Sequence, residues 1–168
     1  MRGPAVSELL SLIGPEAMPI RSGQSQLSRA VALAAIAHAG QVDKSGRAYI
    51  LHPIRVMQRC QPHGDIAQIV GILHDVVEDT WVTLEHLRAL HFPEEAIAAL
   101  DAISHRDGER YFDYIERCGS NRIAALVKLA DLEDNSDPVR RFGRDFDSLL
   151  RRYEKARAVI LDRLAKAG

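Results

Sequence analysis

Apolar residues recur at intervals of three and four along almost the whole chain, and this periodicity is the strongest constraint on its fold. Between Gln24 and Ala39, for example, Leu27, Val31 and Ala34 share one face of a helix. No segment shows a convincing alternation of apolar and polar residues, which a half-buried strand would require. We therefore predict an all-α fold, a single helical bundle of about eight helices.

Glycine, proline and capping residues set the predicted helix boundaries. Gly40 ends one helix, Pro53 begins the next, and Asp65 is interpreted as the N-cap of a long apolar helix over residues 66–79. We predict a domain over residues 23–168, preceded by an N-terminal extension over residues 1–22. The predicted helices cover residues 7–12, 24–39, 53–60, 66–79, 84–90, 93–104, 111–118, 121–135 and 145–168.

Length and composition restrict the class of protein. A chain of 168 residues corresponds to one domain. With 46% hydrophobic and 27% charged residues, the composition is typical of a globular protein and not of a disordered one. The formal net charge of −1 argues against nucleic acid or a membrane surface as a partner, because such partners select a basic excess.

Targeting signals and cysteine patterns are also missing from the sequence. No apolar run approaches the ~18 residues of a membrane span, and the N-terminus does not have the pattern of a signal peptide. Cys60 and Cys118 match no zinc-binding spacing and are too few for a disulfide scaffold. We expect a cytoplasmic protein, and the sequence leaves open whether it forms a homodimer.

Four ionisable residues interrupt the apolar helix predicted over residues 66–79. His74 and Glu78 are one helical turn apart, and so are Asp75 and Asp79. Buried carboxylates are costly unless they are paired or bind a metal. A solvated acidic helix end is the simpler alternative, but the apolar residues around the motif disfavour it.

Two further residues join this group when all are considered together. Asp131 lies in a second apolar helix, and His52 precedes Pro53. Taken alone, Asp131 is equally compatible with a salt bridge or a cap, and His52 with a structural role. Together with His74 and Asp75 they form a mixed nitrogen and oxygen donor set, which suits Mn²⁺, Fe²⁺ or Zn²⁺. Two histidines and two carboxylates leave coordination positions open, as in catalytic sites.

The motifs around these residues resemble a known family. The order His52, His74-Asp75, Asp131 resembles the HD superfamily of metal-dependent phosphohydrolases. The flanking segments HAGQVDKSGRAYILHP, LHDVVEDT and KLADLEDN resemble the hydrolase domain of RelA/SpoT proteins and the small alarmone hydrolases. The resemblance extends over residues 38–135.

The resemblance implies both a reaction and a metal site. The reaction is hydrolysis of the 3′-pyrophosphate of (p)ppGpp to GDP or GTP and pyrophosphate. A divalent metal, usually Mn²⁺, would be held by His52, His74, Asp75 and Asp131. Glu78 and Asp79 would act on the attacking water, and the sequence does not separate their roles.

The resemblance also implies substrate contacts, from Lys44, Ser45, Tyr49 and Asn135. His38 is assigned a supporting role near the metal ligands and not direct ligation. This chain departs from the family motifs at two places, one beside the expected base-binding position and one just after the expected ligand Asp131. Many alarmone hydrolases have Arg-Lys where this chain has Asp43-Lys44, and a carboxylate cannot stack on guanine as arginine does. After Asp131 the chain has LEDN instead of the common RLHN.

Three alternatives remain. Asp43 favours a hydrolase acting on another nucleotide, such as an adenine alarmone, a dNTP or a nucleoside monophosphate. A non-catalytic nucleotide-binding protein that kept the fold is the second, although every expected ligand and acid is present. A helical module that only binds partner proteins is the third, and it would leave three ionisable residues in apolar helices unexplained.

Overall fold

The computed structural model describes residues 4–14, 16, 23–137 and 146–167, and the regular elements within them are helical. Its α-helices are α1 (Val6–Ile13), α2 (Gly23–Ala37), α3 (Leu51–Arg59), α4 (Asp65–Leu73), α5 (Val76–Asp79), α6 (Leu84–Ala89), α7 (Glu94–Ile103), α8 (Tyr111–Gly119), α9 (Arg122–Asn135) and α10 (Phe146–Lys166). A 3₁₀ turn (Gln61–His63) separates α3 from α4. The prediction of an all-α bundle is confirmed. None of the described helices is long and apolar enough to span a membrane.

The helix predicted over residues 66–79 is interrupted, and this prediction was wrong in detail. Helix α4 ends at Leu73 and α5 begins at Val76. Nδ1 of His74 lies 2.9 Å from the carbonyl oxygen of Gly71, which an unbroken helix would offer to the amide of Asp75. The His74 side chain therefore competes with the backbone amide of Asp75 for the Gly71 carbonyl. Asp65, predicted as the N-cap, is instead the first helical residue, and Gly64 precedes it with φ 90°.

Helix α4 lies at the centre of the core and contacts α2, α3, α7 and α9. Its residues from Ile69 to Leu73 are all buried. Gly71 allows α3 to approach closely, because a Cβ at this position would lie 3.0 Å from the Cα of Met57. Close packing of α3 against α4 brings His52 near His74.

Helix α1, which lies within the predicted N-terminal extension, packs against the core. Leu9 and Ile13, one turn apart, are buried. The buried guanidinium of Arg29 in α2 donates hydrogen bonds to the carbonyl oxygens of Ile13 and Leu90. Residues 1–3, 15 and 17–22 lie outside the described residues, and the boundary at residue 22 stays a prediction.

The C-terminal helix α10 packs against α8 and α9. Phe146, Ala156 and Ile160 are its buried residues. The first two turns, from Phe146 to Tyr153, lie over a cavity described below. Asp145 and Gly168, which the sequence included in this helix, lie outside the described residues.

Candidate active site

Four side chains from three parts of the fold converge on one point. His52 comes from the first turn of α3, His74 and Asp75 from the break between α4 and α5, and Asp131 from α9. Nε2 of His52 lies 3.1 Å from Oδ1 of Asp131 and 3.5 Å from Oδ2 of Asp75. Nε2 of His74 lies 3.1 Å from Oδ1 of Asp75 and 3.6 Å from Oδ1 of Asp131. The structure thus brings together all four predicted ligands.

The tautomer of His74 follows from its surroundings. The Gly71 carbonyl can only accept a hydrogen bond, so Nδ1 carries the hydrogen, and Nε2 is the nitrogen that offers a lone pair when the ring is neutral, as metal binding requires. Nε2 is buried and has no hydrogen-bond partner, although carboxylate oxygens lie nearby. Buried polar atoms normally have a partner. A divalent cation would satisfy this lone pair and the two carboxylates at once, so the residues fit such a metal.

The electrostatics of the cluster agree with a site for positive charge. Burial lowers the pKa of His74, but the carboxylates of Asp75 and Asp131 outweigh burial and raise it to about 9. Burial raises the pKa of Asp131, whereas Lys128, with Nζ 2.8 Å from Oδ2, contributes most to holding it well below its usual range. Asp131 is therefore ionised, and Nδ2 of Asn135 donates to its Oδ1 at 2.6 Å.

Tyr49 connects the cluster to Asp79. Its hydroxyl donates to Oδ2 of Asp75 at 2.7 Å and lies 3.2 Å from Oδ2 of Asp79. Burial and the neighbouring Asp75 raise the pKa of Tyr49 well above its usual range, so the hydroxyl keeps its hydrogen. Partial burial, followed by the charge of Asp75, raises the pKa of Asp79.

Glu78 has different surroundings from Asp79. Its Oε2 accepts a hydrogen bond from the backbone amide of His105 at 3.2 Å. Partial burial raises its pKa. Glu78 also borders a cavity of about 440 Å³, together with Asp101, Ser104 and other residues at the end of α7. The two acids that the sequence could not separate therefore face different groups.

A cavity of about 320 Å³ lies beside the cluster. Tyr49 and Asn135, which bond to Asp75 and Asp131, form the wall shared with the cluster. The lining consists of Val42, Asp43, Lys44, Tyr49, Asn135, Phe146, Leu149 and Tyr153. Three of the four predicted substrate-contact residues thus line this cavity.

Ser45, the fourth predicted contact, is not part of that lining. Its hydroxyl donates to Oδ1 of Asp43 at 2.5 Å, and its backbone amide donates to the same oxygen at 2.8 Å. The amide of Arg47 is a third donor, at 3.0 Å. Asp43 therefore holds the loop in an Asx turn, and Ser45 is part of that turn.

His38 contacts the cluster only through neighbouring residues among the contacts described. Its ring is buried 5.1 Å from the ring of Tyr49, and its Nδ1 lies 2.7 Å from Oε1 of Gln41. Nε2 of Gln41 in turn donates to the backbone carbonyl of Asp79 at 3.1 Å. The HAGQ segment thus contacts the backbone of Asp79, one of the two proposed acids.

Sequence reasoning missed three residues with contacts to this site: Gln41, Lys128 and Asp134. The spacing of Lys128 and Asp131, three apart in a helix, was a visible signal for an ion pair. Asp134 was visible only as a departure from the common RLHN motif.

Comparison with known proteins places these motifs in context. No family model matches the chain. A guanosine-3′,5′-bis(diphosphate) 3′-pyrophosphohydrolase of Vibrio cholerae is 32% identical over 127 residues, covering 70% of this chain and 18% of that protein. A probable GTP pyrophosphokinase of Mycobacterium leprae is 32% identical over 146 residues, covering 80% and 18%. The chain is related to the RelA/SpoT proteins. It spans less than a fifth of the length of these curated relatives.

A solved structure shows the same fold. It is that of a metazoan ortholog of SpoT that hydrolyses ppGpp. The TM-score is 0.60 at 20% identity, and the match covers 85% of this chain and 96% of the other. The resemblance predicted from the motifs is thus confirmed by relatives in sequence and by a similar fold.

Proposed function

We propose that this protein is a metal-dependent hydrolase that removes the 3′-pyrophosphate of (p)ppGpp, giving GDP or GTP and pyrophosphate. The observation that carries the proposal is the convergence of His52, His74, Asp75 and Asp131 around a buried, unpartnered imidazole nitrogen. The names of the relatives support the substrate, because several are (p)ppGpp 3′-pyrophosphohydrolases.

These four residues would hold a divalent metal. We propose Mn²⁺ because the motif resemblance implies it, and the mixed imidazole and carboxylate donor set is compatible with it. When bound, such an ion lowers the pKa of water toward neutrality and offsets phosphate charge. The protein's own contribution is to fix the ligands. Lys128 and Asn135 orient the carboxylate of Asp131, and Tyr49 orients that of Asp75.

Asp79 is the proposed general base. Its carboxylate lies 3.2 Å from the Tyr49 hydroxyl, which also binds the ligand Asp75, so it is close to the reacting centre. Its raised pKa improves its ability to accept a proton. Water attacks the phosphorus attached to O3′, the P–O3′ bond breaks, and a water proton passes to Asp79. The leaving O3′ takes up a proton from solvent and becomes the ribose hydroxyl, and Asp79 returns its proton to solvent. Glu78, which is held by the His105 amide, would orient the water.

The cavity beside the cluster is the proposed nucleotide site. Phe146, Leu149 and Tyr153 offer apolar surface for the base. Lys44 would meet a phosphate or the base, and Asn135 the sugar. Ser45 contributes by shaping the loop through its bonds to Asp43. His38 supports Asp79 through Gln41.

A second candidate is a hydrolase of the same chemistry with another nucleotide as substrate: an adenine alarmone, a dNTP or a nucleoside monophosphate. Asp43 favours it, because it lines the nucleotide cavity where an arginine would stack on guanine. Two expectations stay predictions: a cytoplasmic location and the absence of a nucleic-acid partner. Whether the protein forms a homodimer stays open.

A substrate panel tests the proposal. The metal-depleted protein is assayed with ppGpp, pppGpp, ppApp, dGTP and dGMP, with Mn²⁺ and with chelator, while pyrophosphate and orthophosphate are measured separately. We expect pyrophosphate from ppGpp with Mn²⁺ and no release with chelator. Orthophosphate from dGMP with ppGpp untouched would refute the alarmone substrate. No turnover of any nucleotide, with ppGpp still bound, would identify a binding protein instead.

A further inference from the structure

Asp134 is a carboxylate in the interior of the protein, where an ionised group is costly unless it is fully paired. Its exposed fraction is 0%. Oδ1 accepts hydrogen bonds from Nε of Arg55 at 2.8 Å and from Nη1 of Arg59 at 3.0 Å. Oδ2 accepts one from Nη2 of Arg55 at 3.0 Å. The two guanidinium groups thus supply the positive charge that this burial requires.

Asp134 also contacts a proposed metal ligand. Nδ1 of His52 lies 2.8 Å from Oδ2. An ionised carboxylate only accepts hydrogen bonds, so Nδ1 is the nitrogen that carries the hydrogen. The neutral ring then presents the lone pair of Nε2 toward Asp131 and Asp75. A carboxylate behind a ligating histidine commonly fixes both ring orientation and tautomer in metal sites.

The whole arrangement is built from two helices. Arg55 and Arg59 follow His52 by three and seven residues on α3, so all three lie on one side of that helix. Asp134 follows Asp131 by three residues on α9 in the same way. It occupies the position at which the common RLHN motif has histidine, so the motif resemblance does not assign this contact.

We infer that Asp134 is a positioning residue, which holds His52 in the tautomer with Nε2 free for the metal. The inference rests on the proposed metal-dependent function. A merely structural bridge between α3 and α9 would affect stability alone. A positioning role also affects the tautomer of His52 and the affinity for the metal.

The first test needs no variant. Long-range ¹H–¹⁵N correlation spectra of the metal-free, ¹⁵N-labelled protein assign the tautomer of each histidine, with His52→Gln identifying the signals of His52. We expect a protonated Nδ1 on His52. A protonated Nε2 with a bare Nδ1 would overturn the inference.

The second test compares Asp134→Asn with Glu133→Gln. Glu133 is the matched control, since it is the preceding carboxylate on α9, its side chain is 63% exposed, and the change removes the same charge. Its carboxylate pairs with Arg59 at 3.6 Å, so the control also shows what a weakened Arg59 pair does while the contact between Asp134 and His52 is kept. In Asp134→Asn the amide oxygen is favoured at the Oδ1 position, which two arginine donors face, so the NH₂ takes the Oδ2 position. There it loses the bond from Nη2 of Arg55, faces His52 and favours the tautomer with hydrogen on Nε2. We expect Mn²⁺ affinity, measured by calorimetry on the metal-free protein, to fall by about 10–100-fold.

Equal Mn²⁺ affinity in a folded Asp134→Asn and in Glu133→Gln would contradict the positioning role. Thermal unfolding of both variants shows whether each is folded, and if Asp134→Asn is not, the wild-type spectra still decide the question. If the wild-type protein does not bind Mn²⁺, the proposed function fails, and the His52 spectra judge Asp134 separately.

Discussion

The proposed metal cluster and the neighbouring cavity, which is the proposed nucleotide site, are built in opposite ways. The cluster residues His52, His74 and Asp131 are buried and lie in or next to helices that pack closely against α4. The cavity is formed by the loop from Val42 to Tyr49 and by the first turns of α10, and Val42 is 62% exposed. In the proposed function, this difference makes the chemistry depend on the packed core, whereas substrate choice depends on exposed cavity residues such as Val42 and Lys44. Tyr49 and Asn135, which bond to the proposed ligands, belong to both regions.

The largest expected effect comes from removing a ligand. Asp75→Asn should lower kcat/KM by about 10³–10⁴-fold, which corresponds to the several kcal/mol that a metal supplies to the transition state. Chelation of the wild-type protein should do the same. Asp162→Asn, an exposed carboxylate on α10, is the control. Activity retained by Asp75→Asn within tenfold of the control would contradict the proposed cluster.

A smaller loss is expected at the base. Asp79→Asn should reduce kcat by about 10²–10³-fold, because it removes a proton acceptor and leaves the ligands in place. Glu78→Gln keeps an acceptor for the His105 amide and should cost less. Steady-state kinetics at saturating Mn²⁺ measure both. A larger loss of kcat in Glu78→Gln than in Asp79→Asn would instead identify Glu78 as the general base.

The dependence of the cluster on core packing can be tested away from the ligands. In Gly71→Ala, the new Cβ would lie 3.0 Å from the backbone of Met57, so α3 must move away from α4. We expect the free energy of unfolding to fall by about 1–3 kcal/mol and Mn²⁺ affinity to fall with it.

Gly119→Ala is the matched control for this change, because its Cβ would lie 3.0 Å from Cγ and 3.2 Å from Cβ of Arg163, a comparable crowding between α8 and α10, which carry none of the four proposed ligands. Denaturant unfolding and calorimetry give the two quantities. Unchanged Mn²⁺ affinity in a destabilised Gly71→Ala would contradict the claim that the metal affinity depends on the packing of α3 against α4.

The smallest effect is expected in the cavity. Asp43→Arg removes the three hydrogen bonds that Asp43 Oδ1 accepts in the loop. If the loop keeps its conformation without them, the change should lower KM for ppGpp relative to ppApp by about 2–30-fold, as a cation–π contact of roughly 0.5–2 kcal/mol would give. Asp43→Asn keeps a side chain able to form the turn and is the control. Mn²⁺ affinity should be the same in both. A change in metal affinity would show that the two regions are not separable.

The sequence predicted the all-α class and brought His52, His74, Asp75 and Asp131 into one site, because charged residues in apolar helices have few stable alternatives. It could not predict the break after Leu73, which depends on the His74 ring reaching the Gly71 carbonyl. Such side-chain competition leaves no periodic signal.

Other features depend on tertiary partners and were equally out of reach. The different surroundings of Glu78 and Asp79 arise from His105 and Tyr49, residues distant in sequence from both. The packing of α1 likewise depends on Arg29, which bonds to the carbonyl oxygens of Ile13 and Leu90. Ser45 is different, because its partner Asp43 is only two residues away, and the Asp-Lys-Ser-Gly segment was a local signal for a turn.

The two proposed histidine ligands differ in what single mutations can do to them. His74 donates to a main-chain carbonyl, which is present whatever side chain residue 71 carries. His52 donates to the side chain of Asp134, which one nucleotide change can replace. In evolution, a single substitution at residue 134 can therefore change the proposed metal affinity through His52, whereas the hydrogen bond of His74 does not depend on any side chain.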